Sequence, residues 1–104
     1  MRGLLNLTDE GVVTLGHHFD PSRAWRLHPQ VALRDESFGA LAYHYGNRRL
    51  TFLKSPQLTA IVESLSEHAS VNAALDAHEV GAETRPALIR ALARLHASEV
   101  IDVC

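Results

Sequence analysis

The sequence predicts one α+β domain, in which a three-stranded antiparallel sheet packs on three helices in the order βββααα. Three observations predict it. The chain has 104 residues, of which 46% are hydrophobic and 21% charged, as in one small folded domain. Apolar and polar residues alternate with period two in the stretch 25–53. Apolar residues then recur at helical spacing from residue 58 onward.

Residues 1–22 lack any sustained periodicity, and we predict a mobile N-terminal arm there. Its short apolar pieces lie among Gly3, Gly11 and Gly16. The folded domain is predicted to cover residues 23–104.

The first strand is predicted from Trp25 to Leu33, where large apolar residues alternate with polar ones. Pro29 interrupts this strand and has no N–H to donate, so the strand is expected to be an edge, or to be bulged or split there. The polar run 34–37 predicts a connection to the next strand.

The second and third strands are predicted over 38–45 and 48–53. Gly46-Asn47 between them favours a two-residue type II′ turn, with Gly46 at positive φ. The turn sets the register and brings the larger apolar side chains together on one face. Three cross-strand pairs are expected: Tyr45 with Arg48, Tyr43 with Leu50, and Leu41 with Phe52.

Three amphipathic helices follow, each predicted from a cap residue and an apolar stripe. The first begins with Ser55 as N-cap and Pro56 at the first helical position. The second begins near Ser70 and the third near Thr84. Their core stripes are Leu58, Ile61, Val62 and Leu65; Val71, Ala74 and Leu75; and Leu88, Ala91, Leu92 and Leu95. The apolar tail 100–103 is expected to pack back on the domain.

The formal net charge is −2, distributed as −2 over residues 1–22, +4 over 23–54 and −4 over 55–104. The basic middle segment indicates a local contact with an anionic partner, although charges scattered for solubility explain it equally well. No apolar stretch approaches the ~20 residues of a membrane span, so no membrane partner is predicted. The lone Cys104 excludes an internal disulfide, and a cytoplasmic location is the default.

No catalytic residue, metal site or cofactor is predicted. The seven histidines have no partner at metal-ligand spacing, and ordinary surface or capping roles are favoured for them. The serines lack a GxSxG context, and the sequence has no glycine-rich phosphate loop. The chain is therefore predicted not to be an enzyme.

Two surfaces are candidates for binding a partner, and the first is the third predicted strand. It is expected at an edge of the sheet, without a proline or an inward-pointing charge to prevent pairing. A peptide can add there as a fourth strand, with Arg48 and Arg49 available to acidic side chains. The alternative, that a helix or the N-terminal arm covers this edge, stays open.

The other candidate surface is the third helix. The second and third helices resemble a helix-turn-helix, and Arg85, Arg90 and Arg94 make a DNA-binding regulator the alternative function. The acid excess of the helical half and the position of the hairpin before the helices argue against it. A third hypothesis is a structural subunit that holds an enzyme complex together without contacting substrate.

Three blocks of the sequence resemble one known family. WRLHPQVALR (25–34), FGALAYHYG (38–46) and RRLTFLKSP (48–56) are similar to the mycofactocin biosynthesis chaperones, the MftB family. That family belongs to the PqqD-like recognition domains of ribosomally made, modified peptides. The resemblance covers about residues 20–103 and is more specific in the strands than in the helices.

The resemblance implies a winged-helix-like domain that binds the leader of a precursor peptide and presents it to a partner radical S-adenosylmethionine (SAM) enzyme. It implies that the leader adds along the third strand and lies against the third helix, and that the iron–sulfur chemistry belongs to the enzyme. The predicted partners are thus the peptide and the enzyme, not nucleic acid. Carried over by position, the peptide contacts are Arg48, Arg49, Leu50, Thr51, Phe52, Leu53, Arg85, Leu88, Ile89 and Leu92.

Overall fold

Residues 19–104, the part of the chain that the computed structural model describes, form five β-strands, a 3-10 helix and three α-helices. In chain order these are β1 (Trp25–Leu27), β2 (Val31–Glu36), β3 (Gly39–His44), β4 (Leu50–Leu53), α1 (Pro56–Ser64), the 3-10 helix (Leu65–Glu67), α2 (Val71–Ala77), α3 (Arg85–Ala97) and β5 (Ile101–Val103). Of the arm predicted over residues 1–22, residues 1–18 lie outside the described part. Within residues 19–104, no helix has the length and hydrophobicity needed to cross a membrane.

An antiparallel sheet in the order β2-β3-β4 forms one side of the fold. Tyr43 lies opposite Leu50 and Leu41 lies opposite Phe52, as predicted. The three-stranded antiparallel sheet and the three helices expected from the sequence are confirmed. β3 is the middle strand, and β4, which corresponds to the third predicted strand, lies at an edge.

The first predicted strand is divided at Pro29 into β1 and β2. β1 leaves the sheet and pairs with β5, which places Trp25 opposite Val103. Pro29 cannot donate to a ladder, and its turn is closed by a hydrogen bond from the Val31 amide to the His28 carbonyl (2.9 Å). Of the alternatives expected at Pro29, the split is confirmed, whereas the predicted order βββααα lacks the short C-terminal strand and the second sheet that it forms with β1.

The connection predicted over residues 34–37 is shorter in the structure. The strand continues to Glu36, and the Arg34 guanidinium donates to the Glu36 carboxylate across 2.7 Å on its solvent side. Only Ser37 and Phe38 remain for the turn into β3. Polar residues are tolerated in β2 because one face of an antiparallel sheet can be solvated.

Gly39 begins β3 in a conformation and a space that only glycine accepts. Its φ is +148°, and a Cβ at this position would lie 2.1 Å from the Leu53 carbonyl oxygen. The bare backbone of Gly39 thus allows the end of β4 to approach the start of β3.

The type II′ turn predicted at Gly46-Asn47 is wrong, because residues 45–48 form a four-residue loop between His44 and Arg49. The His44 amide donates to the Arg49 carbonyl (3.0 Å), and the Arg48 amide donates to the His44 carbonyl (2.7 Å). Arg48, rather than Gly46, has a positive φ of 65°. The predicted register is nevertheless correct for Tyr43 with Leu50 and Leu41 with Phe52, because loops of two and of four residues are centred on the same peptide bond. The third predicted pair is not formed, since Tyr45 and Arg48 lie within the loop.

The His44 side chain accounts for the longer loop. Its ring is buried, and Nδ1 accepts hydrogen bonds from the amides of Gly46 (2.9 Å) and Asn47 (3.1 Å). The Asn47 side chain accepts in turn from the Arg49 amide (2.9 Å). Three loop amides are satisfied by side chains in this way, which compensates the left-handed conformation of Arg48.

The inner face of β3 carries small side chains, whereas most large apolar side chains of the hairpin lie on the outer face. Ala40, Ala42 and Leu53 are at most 1% exposed, whereas Leu50 and Phe52 are 62% and 57% exposed. The register does collect the larger apolar groups on one face, and that face is the outer one. The largest core side chains lie on the inner side: Leu53, Ile61, Leu65, Leu75, Leu92 and Ile101.

Two of the three predicted helix caps are confirmed. Ser55 Oγ accepts from the Leu58 amide (3.1 Å), and Ser70 Oγ accepts from the Ala73 amide (3.0 Å). Thr84 precedes α3, but its side chain makes no capping hydrogen bond.

The variants Leu53→Ala and Phe52→Ala test which face of β4 is buried. Leu53→Ala leaves a cavity in the core, so the free energy of unfolding should fall by about 2–5 kcal/mol. Phe52→Ala truncates an exposed ring and should change that free energy by less than about 1 kcal/mol. Urea denaturation measures both, and equal losses would contradict the orientation of β4.

Arg48→Gly should raise the free energy of unfolding by about 1 kcal/mol, because glycine adopts positive φ without steric cost. Arg49→Gly is the control, since Arg49 has no positive φ, and it should cost about 0.5–1 kcal/mol. Thermal unfolding of both variants against the unaltered chain measures the difference. The loop conformation is incorrect if both substitutions destabilise equally.

Candidate functional site

The outer edge of β4 carries backbone groups without partners in the described part of the chain. The His44 amide donates to the Arg49 carbonyl, so Arg49 faces β3, and positions that face the partner strand alternate with positions that face away along antiparallel strands. The backbone groups of Thr51 therefore point toward β3, whereas those of Leu50 and Phe52 point away. β4 pairs with β3 alone, so two amides and two carbonyls are available within residues 19–104.

A groove with a volume of about 620 Å³ runs between β4 and α3. Its floor is apolar, because Leu58, Leu88 and Leu95 line it and are each less than 8% exposed. Ala87 and Ala91 face the groove from α3, and their small side chains leave space that longer ones would fill. Apolar side chains of a peptide can be buried here.

The outer edge of β4 and this groove form one continuous surface, which we call the edge groove. Thr51 and Phe52 belong to both, since they lie on the edge strand and line the groove. A strand added to β4 would therefore place every second side chain over the groove, because side chains alternate along a strand.

Cations surround the edge groove. Lys54 and Arg94 line the groove itself, and Arg48 and Arg49 are exposed at the start of β4. Within residues 19–104 none of these four side chains forms an ion pair. Their charge favours acidic groups on a bound partner.

Arg85, by contrast, already forms an ion pair. Its guanidinium bonds to the Asp76 carboxylate and so connects the start of α3 to α2. Of the three arginines that motivate the DNA-binding alternative, Arg85 is thus occupied, while Arg94 lies in the groove beside β4. The structure leaves Arg90 exposed on α3.

The ten predicted peptide contacts fall into three groups. Thr51, Phe52 and Leu88 come together at the groove. The side chains of Leu53 and Leu92 are fully buried in the core. The other five are Arg48, Arg49 and Leu50 on the exposed side of the hairpin, Ile89, which is partly buried on α3, and Arg85 in its ion pair.

Sequence reasoning missed Lys54 and Ala87 as groove residues and assigned Arg94 only to the DNA-binding alternative. A signal was available in α3. Ala87, Ala91, Arg94 and Ser98 recur four, three and four residues apart and so share one helix face. The first two are too small to fill the space beside a neighbouring strand, which is the pattern expected of a groove.

Three histidines of the described residues, His28, His44 and His78, form hydrogen bonds that have a structural role. His28 and His44 pack ring to ring (4.5 Å between centroids), and the Nδ1 atom of each accepts a backbone amide. His78 Nε2 lies 2.9 Å from Ser64 Oγ, which donates to the Ile61 carbonyl, so this pair joins α1 to α2 without activating the serine. Within residues 19–104, no three His, Cys, Asp or Glu side chains are placed to hold a metal ion.

The turn before β1 is fixed by Asp20. Its carboxylate accepts from the hydroxyl (2.7 Å) and amide (2.9 Å) of Ser22, and these bonds hold the pKa of Asp20 below its usual value. Its carbonyl accepts from the Trp25 indole N–H (2.8 Å). Asp20 therefore has a structural role in orienting Trp25.

Comparison with known proteins identifies relatives along nearly the whole chain. A family model described as the peptide chaperone MftB family matches residues 24–102. A peptide chaperone MftB of Mycobacterium ulcerans is 43% identical over 102 residues, which cover 97% of this chain and 94% of the relative. A peptide chaperone MftB of Mycolicibacterium smegmatis is 43% identical over 83 residues (80% and 81%), and one of Mycobacterium tuberculosis is 54% identical over 56 residues (54% and 51%). No solved structure matches significantly.

Proposed function

The chain belongs to the peptide chaperone MftB family, and on that premise we propose that it binds the leader of a ribosomally made precursor peptide by strand addition to β4 and presents it to a partner radical SAM enzyme. In this proposal the chain is not an enzyme and holds no cofactor. The observation that carries the proposal is the edge of β4, which has no strand partner within residues 19–104 and lies beside a groove with an apolar floor.

Backbone pairing alone is insufficient for this function. A strand that pairs with Leu50 and Phe52 forms about four hydrogen bonds, each contributing roughly 0.5–1.5 kcal/mol net. A micromolar complex requires about 8 kcal/mol, and ordering a flexible peptide opposes binding. Each apolar side chain buried in the groove contributes roughly 1.5–3 kcal/mol. Side chains in the groove therefore supply both the missing affinity and the selectivity, since backbone hydrogen bonds do not read sequence.

The cations of the edge groove add a second determinant of peptide selectivity, which is negative charge on the peptide. Arg48 and Arg49 precede β4 and Lys54 follows it, so an acidic peptide is attracted along the whole edge. The same charges oppose pairing of two copies of the chain through β4, because like charges would be brought together. The edge is thus suited to a foreign acidic strand.

The length of β4 is consistent with presentation. A strand of four residues spans about 13 Å and can hold only a short stretch of peptide. The rest of the precursor remains outside the edge groove, where a partner enzyme can reach the residues that it modifies.

Strand addition can be tested by removing one outward-pointing amide. Leu50→Pro deletes an N–H that faces away from β3, so the affinity for a synthetic precursor peptide should fall about tenfold or more. Leu50→Ala is the matched control, because it shortens an exposed side chain that does not line the groove, and it should retain the affinity within about threefold. Isothermal titration measures both.

Three results would count against strand addition: no binding by the unaltered chain, equal affinity in the two Leu50 variants, or loss of the folded state in Leu50→Pro alone. Circular dichroism checks the last result. Thr51→Pro is not a suitable probe, because the Thr51 amide faces β3 and its loss would damage the sheet itself.

The charge criterion has its own test. Lys54→Gln and Arg94→Gln should each weaken peptide binding about twofold to fivefold, and the double variant should show a weaker dependence of affinity on salt. Arg90→Gln is the control, since Arg90 is exposed on α3 but does not line the groove. Titrations at low and high salt measure the effect. An unchanged salt dependence in the double variant would exclude these cations from recognition.

A further inference from the structure

The outer face of the sheet carries a second hollow that neither the core nor the edge groove explains. Its volume is about 590 Å³, and Arg34, Glu36, Phe38, Leu41, Phe52 and Lys54 line it. Phe38 and Phe52 are 42% and 57% exposed, and their rings meet edge to face at 6.0 Å. Exposed aromatic side chains that form a common hollow indicate a binding surface. We call it the outer hollow.

We infer that the outer hollow receives the outward-pointing side chains of the same peptide strand that adds to β4, so that the chain recognises both faces of its peptide. This inference rests on the function proposed above and specifies the chemistry of the ligand. An adjacent strand must place successive side chains on opposite faces of the sheet.

The two hollows are continuous at the edge strand. Phe52 and Lys54 line both the groove beside α3 and the outer hollow, and both residues lie at the border that a fourth strand would extend. Peptide side chains that point inward lie over the groove. Those that point outward lie beside Phe52, at the distance at which cross-strand neighbours interact.

The residues that line the outer hollow define the ligand chemistry that it would bind. Phe38, Leu41 and Phe52 offer apolar and aromatic surface. Arg34 and Glu36 neutralise each other at 2.7 Å, so Lys54 is the lining cation without an ion pair among residues 19–104. The structure therefore favours a peptide with apolar side chains at adjacent positions, one for each hollow, and an acidic group near Lys54.

Apolar side chains at adjacent positions differ from the alternating pattern of a strand that buries only one face. A strand with alternating apolar and polar residues would fill the groove and leave the outer hollow empty. The inference therefore predicts that a side chain on the outer face contributes to affinity, although it lies away from α3 and from the groove.

Phe38→Ser tests the outer hollow alone, because Phe38 lies in the turn between β2 and β3 and does not line the groove. The affinity for the synthetic precursor peptide should fall about fivefold or more, since apolar contact area is lost. Tyr45→Ser is the matched control, as Tyr45 is 64% exposed but lines neither hollow, and its affinity should be unchanged. Isothermal titration, with circular dichroism as a check of folding, measures both.

Fluorine NMR gives a second readout in the unaltered sequence. The chain has three phenylalanines, Phe19, Phe38 and Phe52, and 4-fluorophenylalanine at these positions gives one signal each. On addition of the peptide, the signals of Phe38 and Phe52 should shift, while that of Phe19, which packs on Trp25 at 4.9 Å, should not.

A shift of Phe52 alone, with full affinity in Phe38→Ser, would overturn the inference and leave strand addition in place. Failure of the unaltered chain to bind the peptide would overturn both. The inference is also wrong if size-exclusion chromatography shows a dimer of the unaltered chain and a monomer of Phe38→Ser, while the variant binds the peptide normally. A second copy of the chain would then cover this face. Normal peptide binding with loss of enzyme capture would likewise assign the face to the partner enzyme.

Discussion

The pairing requirement of backbone amides is the constraint on which this structure depends. Every strand must satisfy its N–H and C=O groups, and within residues 19–104 β4 has a strand partner on one side only. Water can satisfy the outward groups of Leu50 and Phe52 in the free chain, so a peptide gains little from the hydrogen bonds themselves. In the proposed complex the net gain comes from the side chains that these bonds position, which is consistent with a groove beside the edge.

The two faces of the sheet differ in burial: the inner face supports the core, and the outer face is left largely exposed. Ala40 and Ala42 allow the helices to pack closely on the inner face, and Leu53 joins them in the core. The larger side chains of Leu50 and Phe52 are left on the outer face, where they contribute little to folding. Substitutions at the exposed positions can therefore change binding without changing stability.

Local signals predicted much of the hairpin, and long-range packing decided the rest. The register was predictable because it depends only on where the loop is centred, whereas the loop conformation depends on the buried ring of His44. The pairing of Trp25 with Val103 joins the two ends of the domain, which no local pattern reports. The edge position of β4 was predictable from strand order. The groove depends on how α3 packs beside β4, so the sequence alone did not identify Lys54 and Arg94 as groove residues.

Amide hydrogen exchange followed by NMR tests the central claim most directly. The amides of Leu50 and Phe52 should exchange rapidly in the free chain and become protected by about tenfold or more when the precursor peptide binds. Those of Thr51 and Leu53, which face β3, should be protected in both states. Slow exchange at Leu50 and Phe52 in the free chain, or no added protection in a complex that is demonstrably formed, would contradict a peptide-accepting edge at β4.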